Sequence, residues 1–231
     1  MRRFLIAAVA ALTLLAVAVP ASAAEVSNRA YIVGQLGDSL VELSGLTDAE
    51  VNAILAGAPD PGWDDDEGDF DGDGDEDARD ERVRKYAWIL HAIGVLEGTT
   101  ASTFDPHDPL DRDATASVFK RIIFGPGTEN RSTQYSDVGA VNTHSCNIHL
   151  ISDIDQDDVY GDAPFIIQGY PPVPSLYKPH TSVTEPQVDN MVDRLAAYIS
   201  TAADPFQRRN CGEDQPPAPV DLDVRLEATV E

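Results

Sequence analysis

The densest chemistry in the chain is a run of carboxylates from Asp64 to Glu81, DDDEGDFDGDGDEDARDE. Counted from Asp69, the acids Asp69, Asp71 and Asp73 fall at positions 1, 3 and 5 of a twelve-residue loop. Gly74 lies at position 6, where such a loop turns sharply. Asp75 would contribute its carbonyl at position 7, Asp77 would act through water at 9, and Asp80 would close the loop at 12. Hard oxygens converging from a tight turn are what calcium requires. The competing reading is a solvated acidic linker.

The pattern resembles the D-x-D-x-D-G loops of EF-hand and dockerin proteins, the latter often ending in Asp. Another short motif, Gly37-Asp38-Ser39-Leu40, spells the nucleophile block of GDSL hydrolases. A catalytic serine needs a base. None of the five histidines, at 91, 107, 144, 149 and 180, has an aspartate three residues before it. Ser39 is therefore read as an ordinary helix or turn residue, and the chain as no enzyme.

Arg2 and Arg3 followed by an apolar run from Phe4 to Val19, Pro20 and the Ala21-Ser22-Ala23 cleavage site describe an export signal over residues 1–23. The run is shorter than the ~20 apolar residues of a membrane-spanning helix. Cleavage leaves 208 of 231 residues and removes two of the 16 basic side chains, so the formal charge goes from −24 to −26. Such a charge repels nucleic acid and anionic lipid and suits calcium or a cation-rich exterior. In an oxidising compartment the two cysteines, Cys146 and Cys211, are expected to form a disulfide.

Apolar spacing and stop signals divide the rest into helices. Ala30–Leu43 carries a helical stripe weakened by Gly34 and Gly37. Thr47 and Glu50 form a capping box for a helix that Gly57 ends. Arg82–Leu96 is helical, with Trp88 either core or an exposed aromatic contact. Gly98 is placed as a left-handed helix end, Pro109 as a helix stop, and Asp111 and Asp113 as the acidic start of the next helix. Pro126-Gly127 marks a turn, Asn147–Ile154 a helix or buried segment, and Val183–Ile199 a helix. Asp153, Asp155, Asp157 and Asp158 form an acidic cluster without a turn glycine, and residues 206–231 read as an acidic, proline-rich tail.

A repeat emerges from the spacing. Pro106 precedes Leu110 by four residues, and Val118, Phe119 and Arg121 follow it at eight, nine and eleven. Pro179, Val183, Met191, Val192 and Arg194 repeat those offsets. Phe104 and Tyr177 lie two residues before each proline, and Gly98 and Gly169 lie upstream. Leu46, Ile54 and Leu55 give a looser third match.

These residues resemble the S-layer homology repeat. Tyr135-Ser136-Asp137-Val138 matches its aromatic-x-Asp-Val start. Gly94 to Gly98 with Phe104-Asp105-Pro106 matches its loop, and Leu110-Asp111-Arg112 and Val183-Thr184-Glu185 match its final helix motif. The resemblance implies a mainly α, pseudo-threefold arrangement of helix–loop–helix repeats over 24–205, with repeats near 28–60, 70–124 and 135–200 and a long acidic loop insertion. It further implies a non-catalytic protein of the bacterial surface that binds cell-wall polysaccharide; calcium is the cofactor expected at the Asp69 loop. Arg112 holds the family's arginine position and, with Trp88, is the expected glycan contact. Asp48 and Glu185 are placed at the equivalent positions of the other two copies, reversing the charge there.

Overall fold

The computed structural model describes residues 25–65, 68–71, 73–126, 135–139, 141–152, 166–167, 169 and 176–201. The export signal, the tail, Cys211, the Pro126-Gly127 turn beyond Pro126 and the cluster from Asp153 to Asp158 lie outside these. The described residues are mainly helical: α1 (Arg29–Ser44), α2 (Asp48–Ala56), α3 (Ala78–Ala92), α4 (Arg112–Phe124), α5 (Ser145–Ser152) and α6 (Glu185–Thr201). Among them β pairing is confined to isolated bridges, such as those of Val26, Asn28 and Asp111. No helix is long and apolar enough to cross a membrane among the described residues.

Helix α1 runs unbroken through Gly34 and Gly37 because both lie under α3. A Cβ on Gly37 would sit 2.1 Å from Tyr86 Cδ2, so only glycine admits that ring. Glycine inside a helix costs about 0.5–1 kcal/mol relative to alanine, and here that cost permits close packing. The α2 capping box forms as its sequence requires: the Glu50 N–H donates to Thr47 Oγ1 and the Thr47 N–H to Glu50 Oε2. Helix α3 starts four residues before the expected Arg82, because Asp77 and Asp80 build a second capping box. Its end also differs from expectation. Gly94, with φ +76°, takes the left-handed conformation after Ile93. Gly98 instead permits a close approach: a Cβ there would meet Thr100 O and Thr103 O at 2.5 Å and Trp63 Nε1 at 3.1 Å.

Two loops repeat the same construction around a buried aromatic ring. The Asp65 carboxylate accepts the N–H groups of Phe104 (2.8 Å) and Asp105 (2.5 Å). The Asp137 carboxylate accepts those of Tyr177 (2.8 Å) and Lys178 (2.7 Å). Each carboxylate follows an aromatic by two residues; Trp63 stacks on Phe104 at 4.7 Å, and Tyr135 meets Tyr177 at 5.2 Å. Asp105 and Lys178, the second residues held, have φ of 54° and 58°. Charge-assisted bonds to both neighbouring N–H groups offset that unfavourable conformation. A Cβ on Gly169 would strike Tyr135, as one on Gly98 would approach Trp63. Trp63-Asp64-Asp65 therefore opens a unit in the way Tyr135-Ser136-Asp137 does, and the acidic run is inserted between that start and α3.

The segments before α1, α4 and α6 close on one another. Val26 bridges Thr184, Asn28 bridges Pro109, and Asp111 bridges Ser182. The Arg29 and Ala30 N–H groups donate to Asp108 O and Pro106 O, as Arg112 and Asp113 donate to Thr181 O and Pro179 O. By backbone environment, Arg29 is thus the counterpart of Arg112. Asp48 is not; it begins α2, an additional helix packed on α3. The looser N-terminal match rested on apolar spacing alone, and the backbone bonds that precede α4 recur before α1, at Ser27-Asn28-Arg29.

The core lies where these helices and loops meet and includes Phe70, Phe104, Phe119, Tyr177 and Tyr198, all at most 2 % exposed. Cys146, buried on α5, is disulfide-bonded, and Cys211 is the chain's other cysteine.

Candidate functional site

The acidic loop is anchored at both ends. Phe70 is fully buried and stacks on Phe104 at 5.7 Å, so the carboxylates on either side of it are held close to the core. Within the loop, the Gly74 N–H donates to Asp69 Oδ2 (3.1 Å), the Asp73 N–H to Asp71 Oδ1 (3.2 Å) and the Asp75 N–H to Asp73 Oδ1 (3.0 Å). These bonds fold the chain around the three acids at positions 1, 3 and 5. Asp69, Asp71 and Asp73 bring one oxygen each within 4.8 Å of one another, a group that can hold a metal ion.

One of the expected ligands, Asp80, is placed differently, whereas Asp75 is expected to offer only its backbone carbonyl. Asp80 is buried, and its carboxylate accepts the N–H groups of Asp71 (2.9 Å) and Asp77 (2.7 Å), capping α3 and tying the loop to it. Burial pushes its carboxyl up, and the N–H groups of Asp71, Asp77 and Phe70 with nearby Arg84 outweigh this, holding it below the usual range. Asp75 is exposed and gives the loop an N–H bond. Arg79 Nε lies 2.9 Å from Asp71 Oδ2 and supplies part of the countercharge. Burial, with repulsion from Asp73 and Asp80, raises the Asp71 carboxyl against the Asp73 N–H and Arg79. An ion seated among the three carboxylates would relieve that repulsion.

The second region is a groove between α1, the Gly94–Phe104 loop and α4. Its inner part, about 170 Å³, is lined by Arg29, Glu97, Gly98, Ser117, Arg121 and His144 among apolar side chains. Arg29 Nη2 donates to Glu97 O (2.7 Å), and its guanidinium lies 4.8 Å from the Phe104 ring centroid. Arg121 reaches the same residue from the other side, Nη2 to Glu97 Oε1 at 2.9 Å. His144 Nδ1 lies 2.7 Å from Ser117 Oγ, which also accepts from Asn147 Nδ2 at 2.7 Å. This buried network fixes the ring at the groove wall. Towards solvent, the adjoining part is acidic, lined by Asp108, Asp111, Asp113 and Asp137 with His180.

No protein-family model, curated protein or solved structure matches the chain. The functional reading therefore stands on this geometry and on the motifs.

Arg112 and Trp88, the expected glycan contacts, are both largely inside. Arg112 is 3 % exposed; its Nε donates to Tyr177 O (2.8 Å), its guanidinium lies 4.8 Å from the Tyr177 ring centroid, and the Tyr177 hydroxyl donates to Arg112 O (3.0 Å). It locks the Asp137 loop in place and leaves little surface for a polymer. Trp88 is 9 % exposed and is covered by Lys85, whose Nζ lies 4.1 Å from the ring centroid. Glu185 does stand at the third helix start, its N–H donating to Glu25 O. Burial, then Glu25 and Asp189, push its carboxyl up. Ser39 lies on α1 beside the tightly packed Gly37.

Sequence reasoning missed Arg29, Arg121 and His144 as neighbours. Arg29 has no aromatic–proline loop before it in sequence. That loop is supplied from 75 residues further on, by Phe104-Asp105-Pro106.

Proposed function

We propose that this chain is an exported, non-catalytic protein of the bacterial cell envelope, built on the S-layer homology plan, that binds wall polysaccharide in the groove beside Arg29. The observation that carries the reading is the doubled construction. Asp65 and Asp137 hold Phe-x-Pro and Tyr-x-Pro loops in the same way, and Arg29 and Arg112 start their helices on those loops with guanidiniums 4.8 Å from the two rings. Of the two arginines, Arg29 is the more accessible and shares its groove with Arg121 and His144. A guanidinium pair suits carboxylate or phosphate groups on a polymer, since planar donors bind such anions in a fixed geometry.

Calcium enters this reading at the Asp69 loop. Asp69, Asp71 and Asp73 would hold the ion with carbonyl or water oxygens completing its shell. The ion would order the insertion that hangs between Asp65 and α3, and so the loop clamp itself.

The direct test is co-sedimentation of the purified protein with purified cell walls, with calcium and with chelator. Pelleting that requires calcium supports both parts. Absence of pelleting in either condition refutes polysaccharide binding.

A second reading has its own support: the acids Asp108, Asp111, Asp113 and Asp137 at the groove mouth repel an anionic polymer, and Arg112 is buried. On that reading the fold serves as a structural or protein-interaction module without glycan binding. Capture of a protein partner by a chain that does not pellet with walls would favour it.

A further inference from the structure

A separate cavity of about 250 Å³ lies between α1, α2 and α3 and is reached by Ile122 of α4 and Ile199 of α6. It shares no described lining residue with the groove beside Arg29. Of the described residues that line it, only Ser44 and Tyr86 carry polar side-chain atoms, and both are engaged. Ser44 Oγ donates to Val41 O (2.7 Å), while the Tyr86 hydroxyl accepts from Arg82 Nε (2.6 Å) and donates to Asp38 Oδ1 (3.1 Å).

The walls are incompletely covered for so apolar a surface. Leu40 and Leu43 of α1, Ile54 and Leu55 of α2, Ile89 of α3 and Ile93 at its end are all half-buried. Within α2 only Val51 is buried. Such a surface offers nothing to the hydroxyls of a sugar, or to the unpaired N–H and C=O groups of an extended peptide. A helix satisfies its own backbone groups and needs only apolar side chains to enter a groove of this kind.

Charge narrows the occupant further. Asp38, Glu42, Asp48 and Glu50 stand in the chain among the lining residues from Gly37 to Val51. Asp38 is paired with Arg79 and Arg82, at 3.6 Å each, and Glu50 caps α2. Glu42 on α1 and Asp48 at the start of α2 are exposed, and neither makes an ion pair among the described residues. The formal charge of −24 adds a long-range attraction for cationic partners.

We propose that this cavity is the docking groove for a basic amphipathic helix of a partner protein. Leu or Ile side chains three and four residues apart on that helix fill the cavity, and its flanking Lys or Arg side chains meet Glu42 and Asp48. The site stands apart from the groove beside Arg29 and does not rest on polysaccharide binding.

The test measures, by fluorescence anisotropy, binding of the purified protein to a labelled synthetic Leu/Lys helix of about 18 residues, roughly five turns. A Leu/Glu helix and a Lys/Ser peptide of the same length are the comparison probes. Ile54→Asp places a charge in the groove, and the double variant Glu42→Lys with Asp48→Lys reverses its free acids without touching the core. A charge-matched control carries Glu76→Lys and Asp193→Lys, both exposed and neither lining the cavity. Circular dichroism checks that each variant is folded. The expected result is binding of the Leu/Lys helix alone, weakened by about tenfold or more in both groove variants and by less than about threefold in the control. Failure to bind the Leu/Lys helix overturns the proposal, as does an equal loss in the control, which would reduce binding to general charge attraction. Loss in Ile54→Asp with no change on reversing Glu42 and Asp48 also overturns it, and would make the cavity a site for an uncharged hydrocarbon chain.

Discussion

Replacing Asp65 by alanine tests the loop clamp on which the repeat architecture depends. The carboxylate accepts two N–H groups at 2.8 and 2.5 Å, and alanine offers neither of them an acceptor. Hydrogen bonds to charged groups contribute about 1.5–3 kcal/mol each, and partial exposure of Asp65 places both towards the lower end. The expected loss is about 2–4 kcal/mol, a large part of the ~5–15 kcal/mol that holds a domain folded. For a chain of this size each kcal/mol moves the melting temperature by roughly 2–4 °C, so Asp65→Ala lowers it by about 5–15 °C. Asp65→Asn retains one acceptor and sets an NH2 group against the second N–H, giving an intermediate loss. Asp137→Ala should match Asp65→Ala, because Tyr177 and Lys178 are held in the same way. Asp64→Ala is the control; its backbone N–H bonds Ser102 O and survives the change. Thermal and urea unfolding followed by circular dichroism give the stabilities, and near-ultraviolet signals report the Trp63–Phe104 stack. The reasoning is refuted if Asp65→Ala unfolds within about 0.5 kcal/mol of Asp64→Ala, the range of ordinary surface substitutions.

Other consequences are as specific. Gly37→Ala destabilises by about 1–3 kcal/mol through overpacking against Tyr86, whereas Gly34→Ala, whose Cβ would lie 3.4 Å from Arg79 and Val83, is neutral or slightly stabilising; urea midpoints of the two variants decide this. Asp80 has a depressed carboxyl in the folded state, so its stabilisation is present above the unfolded value of about 3.9 and is lost as pH falls through the lower folded value. An Asp80→Asn variant should therefore lose less stability than wild type between about pH 5 and 2, and equal acid slopes would contradict this. Glu185 is shifted the other way, so its charged form costs the folded state stability above the folded value and acidification relieves that cost. Glu185→Gln should remove this pH dependence without loss of stability at neutral pH, and parallel stability–pH curves would count against it. Calcium titrated calorimetrically should bind wild type and fail with Asp73→Ala, and equal heats from both proteins would leave the loop as an acidic linker.

The helices were largely readable from the chain because their signals are local. Thr47 and Glu50 are three residues apart, and the apolar stripes of α4 and α6 recur every three or four residues. The offsets shared by Pro106 and Pro179 also pointed to two equivalent loops, which the Asp65 and Asp137 clamps reproduce in space. What escaped were relations between distant residues. Gly37 looks like a helix breaker until Tyr86 is found against it, and Asp80 looks like a metal ligand until two N–H groups are found pointing at its carboxylate. The start Trp63-Asp64-Asp65 was hidden by the acidic run that follows it, since its aspartate is one among many. The N-terminal arginine was missed because α1 docks on a loop that belongs to a later part of the chain. Arg112 was singled out from its spacing, but sequence does not report that it packs against the Tyr177 ring and is buried.

The groove beside Arg29 is the centre of the functional account, and the affinity of Arg29→Ala for purified wall polysaccharide tests it most directly. Glu185→Ala, at the third helix start, serves as the control. The account predicts that Arg29→Ala weakens binding by at least about tenfold, as loss of roughly 1.4 kcal/mol implies, while Glu185→Ala binds as wild type. Equal binding by Arg29→Ala and wild-type protein would contradict it.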